Sequence, residues 1–368
     1  MGSPGSPEPL RGPAPTMSDR RAEGAGSLPG LSFCMIVRNG AATLADCLES
    51  VAAVADELIV VDTGSCDETV SIAERLGAHV IAAPWTNDFA AARNRYLRVA
   101  RRSWILSLDA DERLLDPDVD RIRAIVDAHP RTAFGVTVRN FFDHDLEWPR
   151  FLAPSEFGGR ASARQSWHVS RTIRLFPRLS GLTYRYPVHE SLIPAARQVG
   201  VRLRLSDLVV HHREGSAAGT AHTAPKTAQY SLLGRAKVDR HPRCSRGHLE
   251  MARVHLDGGA WALAEDELRE CLRLSPMTGL AGYYLGEVLL QTGRLHDLKR
   301  LLARSPMSGI DRCHLEGRRL LVTCRHERAA ALLRRVVAEK PGYRPARRLL
   351  DTALDRSVIN RPGCPTGR

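Results

Sequence analysis

The chain has 368 residues, enough for two domains and a substantial core, and carries 53 Lys and Arg against 41 Asp and Glu, a formal net charge of +12. No apolar stretch reaches the ~20 residues of a membrane span and no signal-peptide core precedes a cleavage site, so a cytoplasmic protein with no membrane partner is expected. The arginines are scattered, not gathered with stacking aromatics, so no nucleic-acid partner is expected either; the eight cysteines form no Cys-x-x-Cys pair and read as reduced thiols.

Residues 1–30 are rich in Pro, Gly and Ser and read as a disordered tail, with Met17 as an alternative start. Leu31–Val37 is a continuous apolar run of the kind a buried parallel strand shows, and it ends at the turn signal Arg38-Asn39-Gly40. A helix follows over 41–53, with Leu44, Cys47, Leu48 and Val51 on one face. A second run, 57–61, closes on Asp62-Thr63-Gly64-Ser65. That turn leads into a helix capped by Ser65 or Asp67 and running to Gly77. The third strand is 79–82. The loop 84–89 and a helix over 90–100, bearing Arg93 and Asn94, precede the strand Trp104-Ile105-Leu106. Such regular alternation implies right-handed crossovers and a doubly wound parallel sheet.

That fourth strand runs into Leu108-Asp109-Ala110-Asp111-Glu112. Two aspartates one residue apart, delivered to the carboxyl edge of a sheet, suit a hard divalent cation that keeps its waters and bridges substrate phosphates. The same residues would also cap a helix. A helix over 119–128 and a strand over 134–138 come next, then the aromatic-rich stretch 141–157 with Trp148 and Phe151. That stretch is either an acceptor-binding lid or a flap packed on the sheet. Later landmarks are Arg171–Pro177, Tyr184–Glu190 and the strand end Leu208-Val-Val-His-His212. Adjacent histidines on a strand point to opposite faces, so at most one of His211 and His212 faces a given ion.

Beyond residue 222 strand signals vanish. Ala252, Gly286 and Gly317 open a shared pattern, continued by Ala264, Leu298 and Ala329 and then by Leu268, Leu302 and Leu333. Offsets of 34 and 31 residues fit tetratricopeptide-like helical hairpins with the middle one shortened. The array would offer a concave groove for an extended peptide, a surface for a homodimer, or only a buttress for the first domain.

Cys34–Asn39, Ile59–Ser65, Asp88–Asn94 and Leu108–Glu112 together resemble the family 2 glycosyltransferases of the GT-A fold. The likeness is greatest to the bacterial subgroup with C-terminal tetratricopeptide-type repeats, which includes transferases acting on peptide Cys, Ser or Thr. The resemblance implies an α/β GT-A-type (Rossmann-like) mixed-sheet domain over 31–220, all-α tetratricopeptide-like repeats over 221–360, and a short tail over 361–368. It places Arg38, Asp62, Arg93, Asp109 and Asp111 at the nucleotide-sugar donor. Asp62 would meet the base, Arg93 the diphosphate or base, and Asp109 the ribose and sugar. Asp111 would bind Mg²⁺ or Mn²⁺, with His211 or His212 completing the metal sphere. Glu190 falls where the general base is expected, with His189 as its rival. Gly40 departs from the acid that many relatives carry after Arg-Asn. The implied activity is metal-dependent, inverting transfer of a hexose or N-acetylhexosamine from a nucleotide diphosphate, UDP foremost, to a peptide or protein side chain. The alternatives are a saccharide or small natural product as acceptor, and a non-catalytic repeat adaptor with a decayed transferase domain.

Overall fold

The computed structural model describes residues 28–115, 118–143, 152–162, 165–213 and 224–355. The Trp148 and Phe151 part of the aromatic stretch, residues 1–27 and the tail 361–368 lie outside the described residues. Strands β1 (Leu28–Val37), β2 (Glu57–Asp62), β3 (His79–Ala82) and β4 (Arg102–Ser107) are linked by helices α1 (Leu44–Val51), α2 (Thr69–Arg75) and α3 (Phe89–Val99). They lie parallel in the order β3-β2-β1-β4, so the chain reverses its direction of winding between β1 and β4. Open α/β sheets bind ligands at such a switch point, outside the strand C-termini.

The strands read as unbroken apolar runs because both of their faces are covered. Phe33, Met35 and Val37 of β1, Val60 of β2 and Leu106 of β4 pack with Leu44, Leu48, Val51 and Ile72 of α1 and α2. The alternate residues Cys34, Ile59, Val61 and Ile105 pack with Tyr96 of α3 on the other face. Between β4 and β6 come β5 (Glu112–Leu114) and α4 (Asp118–Ala128). Then follow β6 (Thr132–Asp143), β7 (Phe157–Arg160), β8 (Gln165–Pro177), α5 (Ile193–Gln198) and β9 (Arg202–Arg213).

The sheet is therefore mixed, as the family resemblance implied, and the wholly parallel sheet inferred from alternation holds only for its first half. β8 runs antiparallel to β4 and β6, β6 pairs parallel with β9, and β5 closes the far edge antiparallel to β9. The residues after Asp111 do not start a helix at once. Glu112–Leu114 pairs with Val210–His212 first, bringing the acidic turn beside the histidine pair.

Helix α6 (Ala224–Arg240) begins the second half. Three hairpins follow: α7 (Ser245–Asp257) with α8 (Trp261–Leu274), α9 (Gly279–Gln291) with α10 (Leu295–Arg304), and α11 (Gly309–Val322) with α12 (His326–Glu339). Helix α13 (Arg344–Leu354) ends the array. Each pattern residue falls as the spacing predicts, one set on α7, α9 and α11 and the other on α8, α10 and α12, and the middle hairpin has the shortest second helix. Gly317 shows why small residues recur: a Cβ there would sit 3.0 Å from Leu333 Cγ.

Part of this array is covered by the chain itself. Ala153 joins the core of α7–α10, while Leu152 and Phe157 join that of α11–α13. Tyr284 donates to Glu156 (2.8 Å), Ser155 donates from its amide and hydroxyl to Asp311, and Tyr343 donates to the Leu152 carbonyl (2.7 Å). Residues 152–157 thus pack on these helices, which support the entry into β7.

Candidate functional site

The site begins with α3. Asp88 caps it by accepting from the Ala91 amide (2.8 Å), which fixes how the next two turns present their side chains. Asn94 pairs twice with the backbone of Tyr184. Arg93, only 4 % exposed, spreads its donors over Glu190, Ser107 Oγ (3.2 Å) and Asp109 Oδ1 (2.6 Å). The fork is rigid and permanently charged, so it sets the distance between Asp109 at the end of β4 and Glu190 in the loop after β8.

Arg174 lies on β8, in the Arg-Leu-Phe segment that the family resemblance sets under the acceptor side of the site. It donates to Asp109 Oδ2 (2.8 Å) and to Glu112 Oε1 (2.6 Å), while Glu112 Oε2 accepts from the Asp109 amide (2.9 Å). The signal for this pairing was a lone arginine in the apolar end Ile173-Arg174-Leu175-Phe176 of a core strand, where a charge has to be paired. Burial alone would raise the Asp109 pKa, but Arg174 and Arg93 together hold its carboxyl far below the usual carboxylate range. Asp109 is an anion fixed from both sides. Glu112 is raised by burial, then by the nearby Asp109 charge, against the pull of Arg174.

Asp62 ends β2, and its carboxylate accepts the amides of Gly64 and Ser65 at 3.1–3.2 Å, closing the turn that Gly64 enters at φ 107°. The loop after β1 is stitched to this turn. Asn39, at φ 53°, donates its amide to Ser65 Oγ and accepts from the Cys66 amide, each at 2.8 Å. The Gly40 amide donates to Thr69 Oγ1 (2.8 Å), and Arg38 is exposed beside them. Neither Ser65 nor Asp67 is the N-cap of α2; Glu68 holds that position.

At the far side of the acidic turn, His212 Nε2 lies 3.2 Å from Asp111 Oδ2. His212 Nδ1 faces Asn140 Oδ1 (3.0 Å), and the Asn140 amide nitrogen is directed at Ser170 Oγ and the His168 carbonyl. Asn140 therefore accepts from Nδ1–H, which leaves the Nε2 lone pair aimed at a carboxylate oxygen. Two acceptors at that separation require a proton or a cation between them. His211 points to the opposite face, against the Phe141 ring and 3.5 Å from Arg139 Nη1; burial, then Arg139 and Arg113, lowers its pKa. One carboxylate and one imidazole are too few to cage an ion, and no group of three His, Cys, Asp or Glu that could hold one occurs among the described residues. The donor set fits an Mn²⁺- or Mg²⁺-type ion that takes its other ligands from phosphates and water.

Glu190 and His189 sit in a loop closed by a bridge between Arg185 and Ser191. Tyr186 (φ 78°) and His189 (φ 47°) are both in the left-handed region, strain of order 1–3 kcal/mol each that persists only where the surroundings over-determine it. The Pro187 carbonyl accepts from the Phe89 amide (2.8 Å), tying the loop to the start of α3. Glu190 faces Arg93. The His189 imidazole has its pKa lowered by burial.

A charged network lies at a topological switch point of a mixed α/β sheet, with an acidic turn and a histidine beside it, and helical hairpins follow in the second half of the chain. Residues 32–185 match the family model described as glycosyl transferase family 2. It is 46 % identical over 106 residues to a TPR repeat-containing protein of Synechococcus elongatus, covering 29 % of this chain and 26 % of that protein. It is 36 % identical over 127 residues to an uncharacterized glycosyltransferase of Rickettsia felis, covering 34 % of this chain and 44 % of that one. Among solved structures, S. aureus TarS 1–349 in complex with UDP-GlcNAc aligns at a TM-score of 0.39 and 15 % identity, over 79 % of this chain and 87 % of that chain. The chain thus spans less than half the length of these two curated relatives.

Proposed function

We propose that this protein is a glycosyltransferase that moves a hexose or N-acetylhexosamine from a nucleotide-diphosphate sugar, UDP foremost, to a hydroxyl or thiol acceptor with inversion. The observation that carries the reading is the Arg93 fork, which joins Asp109 at the strand edge to Glu190 in the loop opposite. Asp62 and the stitched loop after β1 would receive the base, and Asp109, held as an anion, would accept from ribose and sugar hydroxyls. Asp111 and His212 would hold a divalent cation. When bound, that ion would offset the charge gathering on the departing diphosphate. Glu190 would take the acceptor's proton as the nucleophile reaches the anomeric carbon; a thiol asks less of it, since its pKa is already near 8.5.

The acceptor we propose is a peptide or protein Cys, Ser or Thr, with a saccharide or small natural product as the alternative. The repeats lend this choice no specific support, because part of their surface is already covered by Leu152, Ala153 and Phe157. The deciding experiment is calorimetric titration of UDP, GDP and dTDP with and without Mn²⁺, on wild type and Asp111→Asn. Metal-dependent binding of one nucleotide, lost in the variant, is expected. Binding of none would overturn the transferase reading in favour of the repeat adaptor.

A further inference from the structure

We propose that Lys237, on the first helix of the repeat half, is a positioning residue for Glu190: it anchors the strained loop Arg185–Ser191 from across the domain boundary. The role of Glu190 rests on the transferase reading; the anchoring rests on geometry alone. Lys237 is 1 % exposed, and its ammonium meets three partners. It donates to Glu250 Oε2 of α7 (2.7 Å) and to the His189 carbonyl (3.4 Å), and it lies over the Tyr186 ring, 4.8 Å from its centroid. Two of the three are the left-handed residues of the loop, Tyr186 and His189.

A buried cation is stable only where charge, dipole and π-face replace its water, and here the replacement comes jointly from the loop and from α7. The His189 carbonyl belongs to the peptide that leads into Glu190, so holding it fixes the backbone from which the carboxylate projects. The edge of the His241 ring meets Tyr186 at 4.9 Å and backs the same contact. Glu190 is then set from two directions, by Arg93 of α3 at its carboxylate and by Lys237 of α6 at its backbone. The competing account is that Lys237 and Glu250 only fasten α6 to α7. In that case removing the ammonium would weaken the helices and leave the loop as it is.

The test uses the full chain as wild type, Lys237→Met, Lys237→Gln and Glu250→Gln. It compares amide hydrogen exchange over 186–191, UDP affinity, and kcat with saturating donor. Lys237→Met is expected to speed exchange across the loop about tenfold, the loss of one hydrogen bond to a charged group, with UDP affinity unchanged. It is also expected to lower kcat about 100-fold, the scale of a roughly 1 Å misplacement. Glu250→Gln, which removes the carboxylate that holds the ammonium in place, should change loop exchange and kcat in the same direction as Lys237→Met but by less. If Lys237→Met does not fold, Lys237→Gln, which retains a donor, should show smaller changes of the same sign. Unchanged loop exchange would overturn the anchoring, and faster exchange with wild-type kcat would overturn the positioning of Glu190. A wild type that turns over no sugar nucleotide would overturn the role of Glu190, while the exchange data would still decide the anchor.

Discussion

Replacing Arg174 with Leu tests the charged network most directly, because it removes a cation and leaves its partners in place. The Arg174 and Glu112 side chains are 10 % and 4 % exposed, so solvent does little to screen them. Asp109 keeps Arg93, but Glu112 loses its counter-ion and becomes an isolated buried carboxylate. Removing one partner of a buried pair typically costs about 3–5 kcal/mol, and this site has the burial for the full amount. Arg174 Nε has no hydrogen-bond partner, so the guanidinium already bears a desolvation penalty and the loss comes chiefly from the orphaned Glu112. The second change, Glu112→Gln, should therefore restore much of it, since the amide oxygen can still accept from the Asp109 N–H. We expect Arg174→Leu with Glu112→Gln to be about 2 kcal/mol more stable than Arg174→Leu alone. Urea unfolding at pH 7, compared through midpoints at constant slope, measures both differences. A loss below about 1 kcal/mol for the single variant, or no recovery in the double, would refute the claim that this ion pair is buried and coupled.

Four further outcomes are expected. His212→Ala should weaken Mn²⁺-dependent UDP binding in calorimetry and His211→Ala should not; the reverse result would place the ion on the other face of β9. Glu190→Gln should abolish turnover with UDP affinity kept, and unchanged turnover would move the base to His189 or elsewhere. Gly317→Val should lower the melting temperature by the equivalent of about 2 kcal/mol, because its Cβ would press on Leu333 Cγ; helix propensity alone predicts little loss relative to glycine, so no change in a thermal melt would count against that packing. Burial, then Arg318, depresses His314 to about 3 in the fold, against ~6.5 unfolded. Only the unfolded chain binds this proton in between, so its share of stability is whole above pH 6.5 and falls as pH drops toward 3. The loss at pH 5 is about 2 kcal/mol. The stability difference between wild type and His314→Gln should shift by that amount between pH 7 and pH 5 in urea unfolding, and a constant difference would refute it.

The parts of this molecule that were legible in sequence are those where the cause is local. β1, β2 and β4 are buried on both faces, so they appear as apolar runs, and the residues at or shortly after their ends are delivered to the same edge. Arg38, Asp62 and Asp109 lie at that edge, and it was the family resemblance that placed them together at the donor. The repeats were legible because each hairpin needs the same small residues where its helices touch. The ion pairs of Arg174 were not legible because β8 mixes polar and apolar residues and its partners come from the β4 edge. The choice between His211 and His212 needed Asn140, on a strand paired in space and distant in sequence. Period-two reasoning could say only that the two differ. β5 is three residues long, too short for any periodicity, and it decides which histidine meets Asp111. Lys237 carries no local signal, because its partners lie 48 residues upstream, at His189, and on the next helix, at Glu250.

The placement of residues 152–157 against α7–α13 also bears on how such a molecule can be recombined. The boundary in sequence falls between 213 and 224, yet the boundary in space runs through β7, whose Phe157 packs on Tyr343 and whose carbonyl there accepts from Lys340. A chimera joined at the sequence boundary would give the repeats a foreign neighbour and strand an apolar segment on the first half. Exchange between relatives would preserve both halves only if the segment travelled with the helices it fits. Packing at this seam makes the two halves exchangeable only as one block.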